Sequence, residues 1–103
     1  MSSYIGRNIV VEGEISGEEE LTLEGTVRGK IAVKSAVVIN KNGSVDAEIE
    51  AQKVDLYGSV KGNLTAREKV ELKQGCRMTG NITSPRILIS DGAVFKGKID
   101  MEV

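Results

Sequence analysis

The chain of 103 residues has no histidine, no tryptophan and one cysteine, Cys76. Without histidine, no Ser-His-Asp or Cys-His arrangement can be assembled. One cysteine makes neither an intramolecular disulfide nor a cysteine-rich zinc site, and nothing in the chain asks for an oxidising compartment. Aromatics are 3% of the residues, namely Tyr4, Tyr57 and Phe95. A core must therefore be built from Ile, Val and Leu rather than from large rings. No apolar run approaches the roughly 20 residues of a membrane-spanning helix. The opening Met1-Ser2-Ser3-Tyr4 lacks the basic and then apolar order of a signal peptide. There are 12 glycines but no G-x-x-x-x-G-K-[ST], so the glycines are not phosphate loops. The expectation is a non-enzyme with no catalytic residues, no cofactor, no metal and no nucleotide.

Net charge is −1, from 14 basic and 15 acidic residues. The signs are unevenly placed. Residues 1–24 hold six Glu and one Arg, whereas residues 25–103 hold 13 basic and nine acidic residues. The later positive excess is spread singly, with no basic block and no interleaved aromatics, so no nucleic-acid partner is expected. The run Glu18-Glu19-Glu20 lacks the ligand spacing of a calcium loop and reads as a solvated bend.

A repeat organises what remains. Apolar-x-apolar units recur as Leu21-Thr22-Leu23, Val37-Val38-Ile39, Val54-Asp55-Leu56, Val70-Glu71-Leu72 and Ile87-Leu88-Ile89, with starts 16, 17, 16 and 17 residues apart. Each is followed six or eight residues later by Val27, Val45, Val60, Met78 or Phe95. Four residues further on stand Ile31, Ile49, Leu64, Ile82 and Ile99. Val11 and Ile15 continue the frame backwards, with Ile5 in its first slot, which makes six repeats. Alternation by two means strands, and no apolar period of 3.6 persists. Strands this short cannot bury a face alone; stacked as coils, each covers the next. The reading is an all-β solenoid: residues 1–4 are a short N-terminal tail and residues 5–103 a single parallel β-helix of six windings with three short strands each. The inward apolar positions from Val11 to Ile89 are its expected continuous, fully buried core.

The columns support this register. Glu12, Arg28, Asp46 and Lys61 alternate in sign from coil to coil, as do Glu14, Lys30 and Glu48. In a parallel stack such side chains lie about 4.8 Å apart, where opposite charges favour the register. Two further columns are small: Gly13, Gly29, Ala47, Gly62, Gly80 and Gly97, then Gly25, Gly43, Gly58, Cys76 and Ala93. They mark corners, where a positive φ or a narrow bend is needed. Cys76 is thus a corner filler rather than a reactive thiol.

The ordered set of units resembles the bactofilins. It runs from Ile9-Val10-Val11-Glu12-Gly13-Glu14-Ile15 through Leu23-Glu24-Gly25-Thr26-Val27-Arg28-Gly29 to Gly92-Ala93-Val94-Phe95-Lys96-Gly97-Lys98-Ile99, covering roughly residues 5–101. The resemblance implies a right-handed β-helix of triangular section. It implies a bacterial, cytoplasmic cytoskeletal protein that polymerises end to end without nucleotide into non-polar filaments. It also implies scaffolding of cell-wall enzymes or membrane proteins in the service of cell shape, with association at the inner face of the cell membrane. Some members attach there through an N-terminal stretch, for which only about four residues precede the first winding here.

Two other classes fit the sequence less well. A left-handed hexapeptide-repeat enzyme wants six-residue spacing and commonly a histidine base, and the chain has neither. An ice- or carbohydrate-binding solenoid wants flat threonine ladders, and the threonines at 22, 26, 65, 79 and 83 form none. The candidate functional residues are those of the terminal coils, whose apolar faces lack a further coil: Ile5, Ile9 and Val11 at one end, and Ile87, Ile89, Phe95, Ile99 and Met101 at the other. Phe95 stands out because its column otherwise holds Val or Met. A polymer interface is the role expected for them.

Overall fold

The computed structural model describes residues 3–100. Ten strands follow one another: β1 (Ser3–Ile5), β2 (Val10–Gly17), β3 (Leu21–Leu23), β4 (Thr26–Val33), β5 (Ala36–Ile39), β6 (Ser44–Leu56), β7 (Ser59–Leu72), β8 (Arg77–Thr83), β9 (Ile87–Ile89) and β10 (Val94–Asp100). Every pairing among them is parallel. One ladder stacks β1, β3, β5, the ends of β6 and β7, and β9. A second stacks β2, β4, β6, β7, β8 and β10. The result is a parallel β-helix of six windings with three faces.

The third face exists because the second ladder turns a corner part-way along. Gly13, Gly29, Gly62, Gly80 and Gly97 take φ between +122 and +136° there, a region closed to most L side chains. At Gly80 the demand is also steric, since a Cβ would lie 2.0 Å from the Gly62 carbonyl oxygen. Ala47 is the one departure. Its winding keeps a strict in-out alternation, and the ladder to β7 runs to Asp46 opposite Lys61 and resumes only at Ile49 opposite Leu64. The other small column lines a tighter bend. Where Cys76 and Ala93 replace glycine, the residue before each is a glycine with φ of +86 or +90°.

The core is continuous from Leu21 to Ile82, and Cys76 is buried within it. The end windings correct the expectation of full burial. Val11, Ile15 and Ile87 are half-buried and Ile89 is 52% exposed, because among the described residues each has a winding on one side only. Small inward residues that the apolar period passes over complete the core: Val33, Ala47, Ala51 and Ala66. Ser84 is buried too, with its hydroxyl donating to the Arg86 carbonyl at 2.8 Å.

The first winding also corrects the frame. Ile5 lies beside Leu23 and not beside Leu21, whose partner is Ser3. β1 thus starts at Ser3, two residues before the boundary drawn from the period, and this winding is eighteen residues long. A turn through Asn8, at φ 66°, takes up the added length. The turn region is tied down by Glu24, which accepts a hydrogen bond from the Asn40 amide at 3.0 Å and lies 3.8 Å from the Arg7 guanidinium. Its carboxyl pKa is held below the usual value, first by hydrogen bonding to Tyr4 and then to Asn40.

Candidate functional site at the end windings

The flanks of the solenoid carry no chemical centre of their own among the described residues. Among the described residues, no group of three acidic or cysteine side chains is placed to hold a metal ion. A shallow groove follows the corner at Ser16–Glu18, Ala32–Lys34 and Glu50–Gln52. Three of its charges are engaged: Lys34 with Glu18 at 3.6 Å, and Glu68 with the neighbouring Lys53 at 3.6 Å and with the Gln52 amide at 2.9 Å.

The nearest approach to acid–base machinery is Asp55 beside Glu71 in adjacent windings. Burial, and then the Glu71 charge, push the Asp55 pKa up. Hydrogen bonds from Lys69, at 2.8 Å, and from Lys73 hold Glu71 down at about 2. The pair sits on an outer face, and its opposed shifts follow from unequal partners: Asp55 is partly buried beside a like charge, whereas two lysines engage Glu71. A stability prediction follows. The raised Asp55 pKa means that its proton stabilises the fold below the ordinary value of 3.8. That contribution is lost as pH rises through the raised value. Asp55→Asn is therefore expected to stabilise the protein by about 0.5 kcal/mol at pH 7. The gain should vanish near pH 3, where wild-type Asp55 is itself protonated. Thermal melts at the two pH values check both signs.

The ends differ from the flanks. On the first winding Ile9 is 48% exposed, while Ile5 and Val11 are half-buried and pack against the core. On the last winding Ile89 and Ile99 are exposed, while Ile87 and Phe95 are half-buried against the core. Met101 lies outside the described residues. The contrast within one column is sharp: Val27, Val45, Val60 and Met78 are buried to 0–1%, yet Val11 and Phe95 in the same column are not. Apart from Met101, the structure therefore brings the residues singled out in the sequence into two groups, one per end.

Four outward-facing residues were missed. Tyr4 and Val10 on the first winding and Leu88 and Val94 on the last are 48–61% exposed. The signal for three of the columns' ends was present in the sequence. Val10 and Val94 cap a column that otherwise reads Thr26, Ser44, Ser59 and Arg77. Leu88 follows Asp55 and Glu71.

Comparison with known proteins bears on what such ends do. The family model for bactofilins, described as polymer-forming cytoskeletal, matches residues 3–100. The chain is 51% identical over 102 residues to bactofilin BacO of Myxococcus xanthus (strain DK1622), spanning 99% of this chain and 81% of that protein. A Thermus thermophilus bactofilin, reconstructed by cryo-EM as double helical filaments, superposes with a TM-score of 0.92 at 33% identity, over 97% of this chain and 99% of that one. The cytoskeletal bactofilin BacA, solved by solid-state NMR, gives 0.89 at 27% identity, over 99% and 97%.

Proposed function

The chain belongs to the bactofilin family of polymer-forming cytoskeletal proteins, and we propose that its copies join end to end through their first and last windings. The observation that carries this is the exposure gradient along the core columns. A stack that is dry from Leu21 to Ile82 leaves Ile89 and Ile99 40–52% exposed, and Ile5, Val11, Ile15, Ile87 and Phe95 only half-buried, at its two ends. Stacking another copy there removes this apolar surface from water at about 25 cal/mol per Å². It also pairs the terminal backbone edges, which otherwise stand open as templates. The interface residues are Ile5, Ile9, Val11, Ile87, Ile89, Phe95 and Ile99, with Met101 added from the sequence.

The role is structural rather than catalytic. Family membership supports a cytoplasmic polymer that holds cell-wall enzymes or membrane proteins in place and so affects cell shape. Association with the inner face of the membrane belongs to the same reading. Among the described residues, no helix is long and apolar enough to cross a membrane.

The test is electron microscopy of the purified chain in a chelating buffer without nucleotide. Filaments or sheets are expected. A discrete trimer would favour a hexapeptide-repeat enzyme, and a monomer a ligand-binding solenoid. A strict nucleotide or metal requirement would overturn the assembly mechanism.

A further inference from the structure

The second ladder presents an outward face before its glycine corner. One column of that face reads Val10, Thr26, Ser44, Ser59, Arg77 and Val94. Its end residues are valines, 61% and 48% exposed, and its centre is two serines. The adjacent outward column sets Asp46 beside Ser44 and Lys61 beside Ser59, in neighbouring windings. Both charges are exposed, and neither takes part in an ion pair among the described residues. Turned end for end, this face is complementary to itself: valine meets valine, serine meets serine, and Asp46 meets Lys61. The other two outward faces do not pass the same operation. On the first ladder it sets Val38 against Asp55. Beyond the glycine corner it sets Glu48 against Asn63.

Resting on the end-to-end reading above, we propose that this face is a second contact between copies, made side by side. The two chains lie antiparallel, first winding against last, about a two-fold axis between Ser44 and Ser59. Val10 of each copy then covers Val94 of the other, and Asp46 of each pairs with Lys61 of the other, so every contact occurs twice. The small serines at the axis let the two sheets approach to about 10 Å, the ordinary spacing of packed sheets. The Glu12–Arg28 ion pair, 3.8 Å apart within one chain, stays closed. With equal windings opposed instead, Asp46 lies against its own copy and Lys61 likewise, and like charges repel. Windings about 4.8 Å apart and three residues about 3.3 Å apart make a face well short of the roughly 800 Å² per partner of a stable pair. One such contact is weak. It holds when an end-to-end strand presents many of them to a neighbouring strand.

Thr26→Cys combined with Arg77→Cys reads the order directly. Within one chain these positions are three windings apart. That is about 14 Å, beyond the roughly 4.4–6.8 Å between Cα atoms that a disulfide spans. Neither lies on a terminal winding, so an end joint does not bring them together. In antiparallel pairs position 26 faces position 77 twice. Mild oxidation of the polymer should therefore give closed covalent dimers and no higher species. Wild type, whose Cys76 is buried, should stay monomeric on the same non-reducing gel. Asp46→Lys in the two-cysteine chain sets lysine against lysine, and dimer yield should fall about tenfold at low salt while the polymer still sediments. Lys61→Asp should do the same. Strands of these two variants, grown separately and then mixed, oppose the new lysine to the new aspartate. Dimer yield should recover to within about twofold of the unreversed chain. Each variant keeps its internal repulsion between positions 46 and 61 in that mixture, so recovery reports the contact between copies and not the fold. Circular dichroism checks that each variant is folded. Three results overturn the side-by-side order: normal polymer without the dimer, a dimer from Thr26→Cys alone, or no recovery on mixing. If wild type forms no polymer at all, the end-to-end reading fails and the side-by-side contact with it.

Discussion

Val60→Asp is expected to abolish folding, not merely to lower stability. Val60 is 1% exposed in the middle of the stack, between Val45 in the winding on one side and Met78 in the winding on the other. A carboxylate there has no basic partner inside a column of aliphatic side chains. Leaving a buried charge unpaired costs several kcal/mol, and escape by protonation also carries a cost at neutral pH. A domain of this size has a total stability of about 5–15 kcal/mol. The solenoid adds a second cost. Each winding touches only its neighbours, so a defect in the centre uncouples the two halves, and each half is too short to hold alone. Far-ultraviolet circular dichroism should show loss of the β signal, with the protein recovered as aggregate. Val10→Asp is the matched control, since Val10 is 61% exposed and the substitution should leave the signal intact. A soluble, folded Val60→Asp protein would mean that the inward assignment of this column is wrong.

Most of the fold was legible because a parallel stack turns sequence period into spatial neighbourhood. Residues 15 to 18 apart become ladder partners, so the alternating column Glu12, Arg28, Asp46 and Lys61 could be read as contacts before any coordinates, and it is one register line in the structure. What escaped was whatever the period does not encode. The register of the first winding depends on the length of a turn, and Ile5 suits either inward slot by its chemistry. Only the left-handed Asn8 and the tie between Glu24 and Asn40 reveal which slot it fills. Ala51 and Ala66 were invisible because alanine is equally at home in or out, and their inward placement comes from corner geometry. At the ends, the apolar residues were found as open faces, yet Val11, Ile87 and Ile89 were also counted into the fully buried core. Hydrophobicity predicts burial only where a neighbour exists to do the burying, and Ile89 at 52% exposure has one on a single side. The outward-facing Val10 and Val94 were passed over for a related reason: alternation assigns them to solvent and says nothing about a second copy.

Phe95→Arg is expected to leave the monomer folded and to stop polymerisation. Phe95 pairs in register with Met78, which is fully buried, but on its other side it has no further winding among the described residues. It is half-buried and packs against the core, so one side of the ring stabilises the last winding and the other is offered outward. Large apolar side chains at the centre of a patch are what dominate binding at protein interfaces. An arginine at this position can carry its guanidinium to water in the monomer, since its aliphatic stem covers part of the surface the ring covered. In a joint between copies, that route to water closes and the charge is trapped between two apolar faces. The cost then falls on assembly and not on the fold. Sedimentation or light scattering should show loss of the polymer, while circular dichroism keeps the wild-type β signal. The two ways of being wrong read differently. Normal polymer from the arginine variant would remove Phe95 from the joint. Loss of the β signal would show that the ring plugs the final winding and that its burial there is indispensable to the fold.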